Sequence, residues 1–544
     1  MMRPRRFTLL VTSLALALPV AGCGDRSATW SSAPDGSKAY GLTGAVVLAD
    51  PAANRVVALA LDPKTGALAE TSLATGHDVV TTTVGPSGGK LYVLSGGHQA
   101  SLGDAQPDEA PRLTIVDGTT NPATKRDIDL SLLSDPLDGL AIDPTEHWAV
   151  LYAMQGASAA FVTNPNALVI VDLSTGAAAK PPQEVVLHSF GGHPESLIFP
   201  PLLGLPSGPT HLLVAQSDQD FTLLSLDDPT KPEITVRLAD ATAVTSPHPT
   251  QVVFDDGDPT QTDDARIGVS FEGLTTVMTL QLEPATDPNG YAPTINVTDV
   301  GGVPSAIAFV RTDGGLRLAT LQPARASAVL VDPVTTLTST VTLPAAYQSL
   351  SLVTSSAGTA PAGAAAGPDV ALLWNANTTL GGVAFWELGE AAGQPFRSIE
   401  TVGIDAVVDG VRDVPGMNST LKVLSTQSSE FFVLDLSNRT ATPLLSSLGV
   451  TLSVSPSGAR VWAYEPGGLD LAATDLATGR VHTLRVDTPL SSLFEIAGPD
   501  GAPTLVVLQG QGGVGATVFG FDKLGDPDEA SRRIYGAILT EGPL

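Results

Sequence analysis

Cysteine is nearly missing from this sequence, since its 544 residues contain only one, Cys23. A single thiol excludes an intramolecular disulfide framework. Aromatic residues make up 5 % of the chain, which is too few for a platform on which bases or sugars stack. The fold must therefore be stabilised by burial of apolar surface.

Basic residues are also scarce. The chain has 28 Lys and Arg against 56 Asp and Glu, which gives a formal net charge of -28. Such a surface repels phosphate backbones and anionic lipid headgroups, so we expect neither nucleic acid nor a charge-driven membrane contact. A cationic ligand would be attracted, although solubility alone also accounts for an acidic surface.

Long apolar runs are absent except at the start of the chain. Arg3, Arg5 and Arg6 precede an apolar stretch at 7–20 that is interrupted by a few polar residues. This stretch is shorter than the roughly 20 residues that a helix needs to cross a bilayer. A charged beginning, a short apolar run and small residues predict a secretory signal peptide.

The sequence Val20-Ala21-Gly22-Cys23 resembles the bacterial lipobox. The resemblance implies diacylglyceryl transfer to the Cys23 sulfur, cleavage before Cys23 and acylation of the new amine. Three acyl chains would anchor the protein firmly, since each buried methylene contributes about 0.8 kcal/mol. An ordinary secretory signal with an accidental cysteine is the alternative.

These features predict three parts of the chain. Residues 1–22 form a lipoprotein signal peptide, residues 23–43 a lipidated flexible tether rich in Ser, Ala and Gly, and residues 44–544 the folded domain. The expected location is a bacterial cell envelope, facing the periplasm or the cell exterior. Gly24 and Asp25 leave the choice of membrane open, with the outer membrane favoured.

Internal repeats dominate the rest of the sequence. One module begins HDVVTTTVGPSGGKLYVLSGG at His77, and a later one reads LGVTLSVSPSGARVWAYEPGG. Each has an apolar strand, a Pro-Ser-Gly turn, a second strand, a break, a third strand ending near Asp, and a fourth strand. Helical periodicity is nearly absent, so the pattern predicts an all-β fold.

Ten predicted third strands recur about 40 to 60 residues apart, which is the period of a four-stranded propeller blade. A short sheet cannot bury both of its faces alone, whereas radial stacking covers them. We predict a single β-propeller of roughly eight to ten blades, closed by pairing of N- and C-terminal strands; incomplete modules or two joined rings are the alternatives. The predicted third strands are 55–61, 112–117, 167–172, 221–227, 275–282, 328–332, 383–388, 430–435, 469–475 and 516–522.

The segments VGPSGGKLYV, SVSPSGARVWAY, LVIVDLSTG and FFVLDLSNRT resemble the YVTN-type repeats of 6-phosphogluconolactonase-like propellers. The resemblance extends over residues 44–544 and implies a propeller fold. It also implies sugar-lactone hydrolysis as a candidate activity, although this fold supports many unrelated functions.

Histidines occur in three of the turns that precede a blade's first strand. Asp78 directly follows His77, and Glu195 follows His193 with one proline between them. His248 lies between two prolines. If the ring brings these turns to one channel mouth, their imidazoles and carboxylates could bind a divalent cation. The alternative is that they are turn residues that cap the channel. The remaining histidines, which we expect at no common position, are His98, His147, His188, His211 and His482.

Other chemistry-bearing patterns are weaker. The acidic stretch at 255–264 departs from the calcium-loop pattern, so a solvated turn is the simpler interpretation. The sequence contains no G-x-S-x-G nucleophile motif, and GQGGVG at 510–515 lacks the lysine of a phosphate-binding loop. Longer insertions at 96–111 and 354–368 are candidate recognition loops, the alternative being that they are surface loops without a function.

The sequence is therefore compatible with two functions. The first is a non-catalytic, lipid-anchored envelope propeller that binds a protein or a polymer. The alternative is a lactonase-like or other metal-assisted hydrolase that would need His77, His193 and His248 to supply a base or a metal-bound water. The binding propeller is expected to need no cofactor. The hydrolase would use a divalent cation.

Overall fold

The computed structural model describes residues 38–536 with gaps. The gaps are 63, 99–107, 132–136, 154–165, 177–178, 189–193, 218–219, 240–246, 257–263, 354–367, 376–381, 390–397, 417–418, 429, 445–450, 499–500, 511–514 and 523–524. Cys23 and the predicted signal peptide lie outside the described residues. No helix in the described ranges is long and apolar enough to span a membrane.

The described residues form 42 strands, and 40 of them make ten four-stranded antiparallel sheets, the blades. Blade 1 has β1 (Lys38–Gly41), β2 (Val46–Asp50), β3 (Arg55–Leu61) and β4 (Leu68–Ala74). Blade 2 has β5 (Val79–Val84), β6 (Lys90–Ser95), β7 (Arg112–Asp117) and β8 (Thr124–Asp129). Blade 3 has β9 (Gly139–Ile142), β10 (Trp148–Tyr152), β11 (Ala167–Asp172) and β12 (Gln183–Val186). Blade 4 has β13 (Ser196–Ile198), β16 (Leu212–Gln216), β17 (Asp220–Ser225) and β18 (Ile234–Arg237). Blade 5 has β19 (Pro249–Asp255), β20 (Arg266–Phe271), β21 (Thr276–Pro284) and β22 (Tyr291–Asp299).

The second half of the ring repeats the same order. Blade 6 has β23 (Ala306–Thr312), β24 (Gly315–Gln322), β25 (Ser327–Val331) and β26 (Thr338–Thr342). Blade 7 has β27 (Ser349–Val353), β28 (Val370–Trp374), β29 (Val383–Glu387) and β30 (Ser398–Val402). Blade 8 has β31 (Val408–Asp413), β32 (Leu421–Thr426), β33 (Phe431–Asp435) and β34 (Thr440–Pro443). Blade 9 has β35 (Thr451–Val454), β36 (Arg460–Tyr464), β37 (Asp470–Asp475) and β38 (Val481–Arg485). Blade 10 has β39 (Leu490–Ala497), β40 (Pro503–Gln509), β41 (Gly515–Phe521) and β42 (Pro527–Tyr535).

In the described part of the chain, three short elements are added to this pattern. An extra hairpin, β14 (Leu203–Leu205) with β15 (Gly208–Thr210), is inserted between the first two strands of blade 4. Single 3₁₀ turns span Pro51–Ala53 and Pro323–Arg325. The predicted all-β propeller is confirmed, and its ten blades lie at the upper end of the predicted range. Each predicted third strand overlaps the third strand of one blade.

Burial of the strands follows their position in the blade. Second and third strands such as β2 and β25 are buried along their whole length, because both faces are covered by neighbouring blades. Outer strands such as β26 are largely exposed. First strands such as β27 are half-buried, and those of several neighbouring blades contact each other. The first strands therefore surround the axis of the ring.

Ten separate apolar cores lie between the blades, one at each boundary between neighbours. A row of ten blades would have nine such boundaries. The tenth core joins the last blade to the first, where Val57 and Leu59 of blade 1 pack with Val506 and Leu508 of blade 10. The ring is therefore closed.

The predicted way of closing the ring is wrong. β1 pairs with β2 and β42 pairs with β41, so among the described strands no sheet combines strands from the two ends of the chain. The first and the last four described strands each form a complete four-stranded blade. The boundary is instead held by the apolar core and by hydrogen bonds, among them Leu68 N to the Tyr535 hydroxyl at 2.9 Å and Ala497 N to Thr43 O at 3.0 Å.

The predicted start of the folded domain also needs correction. Lys38–Gly41 is the first strand of blade 1, although the tether was expected to extend to residue 43. Tyr40 packs against the core between blades 1 and 2, and β1 covers the inner edge of β2. A four-residue strand with little apolar character gives no strong signal in the sequence.

The aspartates that follow the third strands hold the next turn. Asp332 Oδ1 accepts hydrogen bonds from the backbone N–H groups of Val334 and Thr335 at 3.0 and 2.9 Å. Asp435 Oδ1 likewise accepts hydrogen bonds from the backbone N–H groups of Ser437 and Asn438. In both cases partial burial raises the pKa of the carboxyl, but the backbone N–H donors outweigh burial and lower it.

Candidate functional site

Two of the three histidines, His77 and His248, are described, and each directly precedes the first strand of a blade. His77 and Asp78 precede β5, Glu195 precedes β13 and His248 precedes β19. His193 lies outside the described residues. The proposal that these residues share a cation stays a prediction, because one of its three histidines is not described.

His77 binds a partner from its own blade. Its Nδ1 contacts the carboxylate of Glu109, which also pairs with Arg112. The ring of His98 lies 6.0 Å from the ring of His77, between centroids. Partial burial raises the pKa of Glu109, but the His77 hydrogen bond and the Arg112 charge outweigh it and lower the pKa below its usual value. A charged carboxylate therefore orients the His77 imidazole.

Backbone hydrogen bonds build this cluster. His98 N and Glu109 O are 2.8 Å apart, and Glu109 N and His98 O are also 2.8 Å apart. Gly97 N donates to His77 O at 3.0 Å. The described ends of the insertion between the second and third strands of blade 2, His98 and Glu109, thus lie against the turn before the first strand. The insertion is visible in the sequence, but no sequence pattern connects Glu109 or His98 with His77.

Glu195 and His248 make backbone contacts within their own blades. Glu195 N donates to Gln216 O at 2.7 Å, and Glu272 N donates to His248 O at 2.8 Å. Within the described ranges, no group of three or more His, Cys, Asp or Glu side chains is placed to hold a metal ion.

The acidic stretch of blade 5 joins neighbouring parts of the ring. Asp256 accepts hydrogen bonds from Gly204 N at 3.0 and 3.1 Å and so fixes the extra hairpin of blade 4. Asp255 lies 3.5 Å from Arg311 of blade 6. Residues 257–263, which include Asp258 and Asp263, lie outside the described residues.

Two of the remaining histidines do share a position, contrary to expectation. His147 and His211 each directly precede the second strand of blades 3 and 4, and each carbonyl accepts a hydrogen bond from the end of its own blade's third strand. Their rings stack at 5.7 Å with an interplanar angle of 8°. His211 Nδ1 is 2.9 Å from Asp227, and His147 Nε2 is 4.0 Å from Asp172. The residues that flank the two histidines differ, so the sequence gives no sign that they occupy the same position in their blades.

A cavity of about 280 Å³ lies where blades 1, 2, 9 and 10 meet. Its lining includes Thr43, Gly88, Pro456 and the buried Glu495. Burial raises the pKa of Glu495 more than its polar partners lower it. This buried carboxylate was not identified from the sequence.

The partners of Glu495 belong to the Pro-Ser-Gly repeat of blade 9. Glu495 accepts hydrogen bonds from Ser457 Oγ at 3.3 Å and Trp462 Nε1 at 3.1 Å, and Arg460 lies at 3.7 Å. Both carboxylate oxygens are therefore engaged by blade 9. Glu495 mainly joins two blades, and the cavity alone does not define a ligand.

The same arrangement occurs between blades 2 and 3. Glu146 accepts hydrogen bonds from Ser87 N at 2.9 Å, Lys90 Nζ at 3.0 Å and the Tyr92 hydroxyl at 3.3 Å. Ser87, Lys90 and Tyr92 occupy the repeat positions of Ser457, Arg460 and Trp462. We call these two sets the inter-blade carboxylate contacts.

Comparison with known proteins adds little beyond the fold. No protein-family model matches this chain, and no curated protein matches it. A eukaryotic initiation factor structure is 10 % identical, covering 87 % of this chain and 94 % of its own, with a TM-score of 0.42. Saccharomyces cerevisiae Sqt1 is 15 % identical over 72 % of this chain and 97 % of its own, with a TM-score of 0.38. The Cps50 (Swd1) β-propeller domain of Myceliophteria thermophila is 14 % identical over 76 % and 98 %, with a TM-score of 0.28. Values this low carry no argument about function.

Proposed function

We propose that this chain is a lipid-anchored propeller of a bacterial envelope that binds a protein or polymer partner and does not catalyse a reaction. The lipobox-like sequence before Cys23 supports the anchor. The outer membrane is the favoured location, with the ring facing the periplasm or the cell exterior. The alternative of a metal-assisted hydrolase stays a hypothesis that no observation in the described residues favours.

The observation that carries the binding role is an apolar pair on the turn between the third and fourth strands of blade 6. Val334 and Leu337 are 58 % and 72 % exposed, the highest values among the large apolar side chains in the described part of the chain. Apolar side chains that the fold leaves in water favour contact with a partner. The turn itself is well ordered by Asp332, so the pair is presented on a fixed loop.

The binding role can be tested with charge substitutions on this turn. Val334→Asp and Leu337→Asp should fold normally, because both side chains are already in water. Ala477→Asp is the matched control, since Ala477 is exposed on the corresponding turn of blade 9. Cross-linking in intact cells should yield an adduct in the wild type and the control, and lose it in the blade 6 variants. Equal adducts in all four proteins would refute a partner site on this turn.

The anchor has a separate test. Cys23→Ser should abolish incorporation of labelled fatty acid and move the protein from the membrane fraction to the soluble fraction. A Cys23→Ser protein that stays with the membrane would contradict the lipid anchor while leaving the binding role untouched.

A further inference from the structure

We propose that strand β26 of blade 6 is a self-association site, where the free edges of two copies of this chain pair as antiparallel strands about a two-fold axis at Thr340. The inference rests on the proposed function only in taking this part of the rim as a contact surface. It commits the edge to a second copy, and purified chain alone tests it. A lost dimer and a lost partner adduct are therefore separate results.

The first argument is that β26 lacks the residues that protect the other outer strands. A charged residue or a proline on a free edge usually prevents pairing with another chain. Among the ten outer strands in the described part of the chain, nine contain such a residue, whereas β26 reads TSTVT and does not. In order from blade 1 to blade 10 without blade 6, the nine strands include Glu70, Lys125, Glu184, Arg237, Pro293, Glu400, Pro443, Arg485 and Arg532.

The second argument is the direction of the backbone groups of β26. Leu343 N donates to Ala326 O at 2.8 Å, in the same register as the ladder between β25 and β26. Hydrogen bonding alternates along an antiparallel pair, so the odd-numbered residues of β26 direct their backbone groups towards β25. The N–H and C=O groups of the three threonines therefore face away from β25, and their side chains are exposed; these residues are Thr338, Thr340 and Thr342.

The third argument is the lack of charge in the sequence of this edge. The chain has a formal net charge of -28, so two copies repel each other. Residues 333–368, which include β26, contain no Asp, Glu, Lys, Arg or His. Asp332, which precedes them, lies 3.2 Å from Arg317. A second copy therefore meets less repulsion at β26 than at an outer strand that carries a carboxylate.

The fourth argument is that the edge is complementary to itself. In an antiparallel pair centred on Thr340, that residue lies opposite Thr340 of the second copy, and Thr338 lies opposite Thr342 of the second copy. The outward groups of the three threonines would exchange about six backbone hydrogen bonds. Cross-strand pairs of threonine are favourable. The same register places Leu337, which is 72 % exposed, across from Leu343 of the second copy and removes its apolar surface from water.

Sedimentation of the full chain with Cys23→Ser, which has no site for a lipid, measures the association. We expect a monomer–dimer equilibrium with a Kd on the order of 10 µM, since a contact of one strand per copy is small. Thr340→Glu should weaken the dimer about tenfold or more, because it places two carboxylates opposite each other. Thr483→Glu is the matched control and should dimerise like the parent, since Thr483 is the exposed central residue of outer strand β38. Added salt should tighten the dimer, because it screens the repulsion between the acidic copies.

Disulfide trapping tests the register of the pair. The Cys23→Ser chain has no cysteine, so an added one is its only thiol. Thr340→Cys should form a covalent dimer on oxidation, because the Cα atoms of opposed hydrogen-bonded residues lie about 5.5 Å apart, within the range of a disulfide. Thr483→Cys should stay monomeric under the same conditions.

Circular dichroism checks the folding of each variant, and both threonines are exposed in the structure. A parent chain that stays monomeric up to about 100 µM would overturn the proposal. So would a dimer that Thr340→Glu leaves intact, or equal trapping of Thr340→Cys and Thr483→Cys. A monomeric chain that loses a cellular adduct with a different protein on Thr340→Glu would assign the edge to a foreign segment instead of a second copy.

Discussion

Glu146 offers the sharpest test of how the blades are joined. It occupies a left-handed backbone conformation, with φ of 56°, at the turn position where blades 2 and 9 have Gly88 and Gly458 with φ of 70°. A residue other than glycine is strained by about 1 to 2 kcal/mol in the left-handed conformation. The strain is tolerated because the carboxylate of Glu146 joins blade 3 to blade 2. Replacing Glu146 separates these two effects.

The expected free energies follow from the contacts. Glu146→Ala loses the hydrogen bonds from Ser87, Lys90 and Tyr92 but keeps the strained backbone. Charged hydrogen bonds contribute about 1.5 to 3 kcal/mol each, and Lys90 regains water because its side chain is 37 % exposed. We therefore expect Glu146→Ala to cost about 2 to 4 kcal/mol. Glu146→Gly loses the same contacts but relieves the strain, so it should cost about 1 kcal/mol less.

Guanidinium unfolding followed by circular dichroism measures this difference, with Ser87→Ala as a variant that removes one partner and leaves the φ angle unchanged. The order of stability should be wild type, Ser87→Ala, Glu146→Gly and Glu146→Ala. A Glu146→Gly protein that is less stable than Glu146→Ala would refute the claim of stored strain. Wild-type stability in both would refute the contact.

The other predictions concern the ring boundary and the pH dependence. Leu508→Ala at the boundary of blades 10 and 1 should lower the free energy of unfolding by about 2 to 5 kcal/mol. The matched control Leu373→Ala, between blades 6 and 7, should lower it by a similar amount. A negligible loss at Leu508 together with a full loss at Leu373 would contradict closure of the ring by packing. The pKa of Glu495 is raised, so its ionisation weakens the fold as pH rises above about 4.5, and Glu495→Gln should lose less stability at pH 7 than at pH 4. The pKa of Glu146 is lowered, so its charged form stabilises the fold, and Glu146→Gln should lose more stability at pH 7 than at pH 4. The lowered pKa of Asp435 stabilises the fold above about pH 4, so thermal unfolding of Asp435→Asn should approach that of the wild type as pH falls towards 3.

The sequence predicted the blades because their signals are local. Third strands are short apolar runs that end at an aspartate turn, and three of them, 55–61, 112–117 and 167–172, match the observed strands to the residue. Counting them gave ten third strands, from which roughly eight to ten blades were predicted, and the structure has ten. Strand β1 was missed because it is short and has little apolar character.

The site residues were harder to predict because their partners are distant in the sequence. Glu109 lies 32 residues after His77, and its backbone pairs with His98, which places it beside the turn that contains His77. The stacked histidines come from different blades, and nothing in their immediate neighbours marks them as equivalent. Such pairs become visible only when the register of each blade is known.

The two inter-blade carboxylate contacts indicate what the Pro-Ser-Gly repeat does in this ring. Glu146 comes from a turn of blade 3 and Glu495 from a strand of blade 10, yet both meet a serine, a basic residue and an aromatic residue at the same repeat positions. The serine, the basic residue and the aromatic residue of the repeat are therefore the same in both contacts. The glutamate that they bind comes from a turn in one case and from a strand in the other. Apolar packing is not directional and would let neighbouring blades slide, whereas these hydrogen bonds require defined positions. These polar contacts therefore fix how blade 2 sits against blade 3 and how blade 9 sits against blade 10.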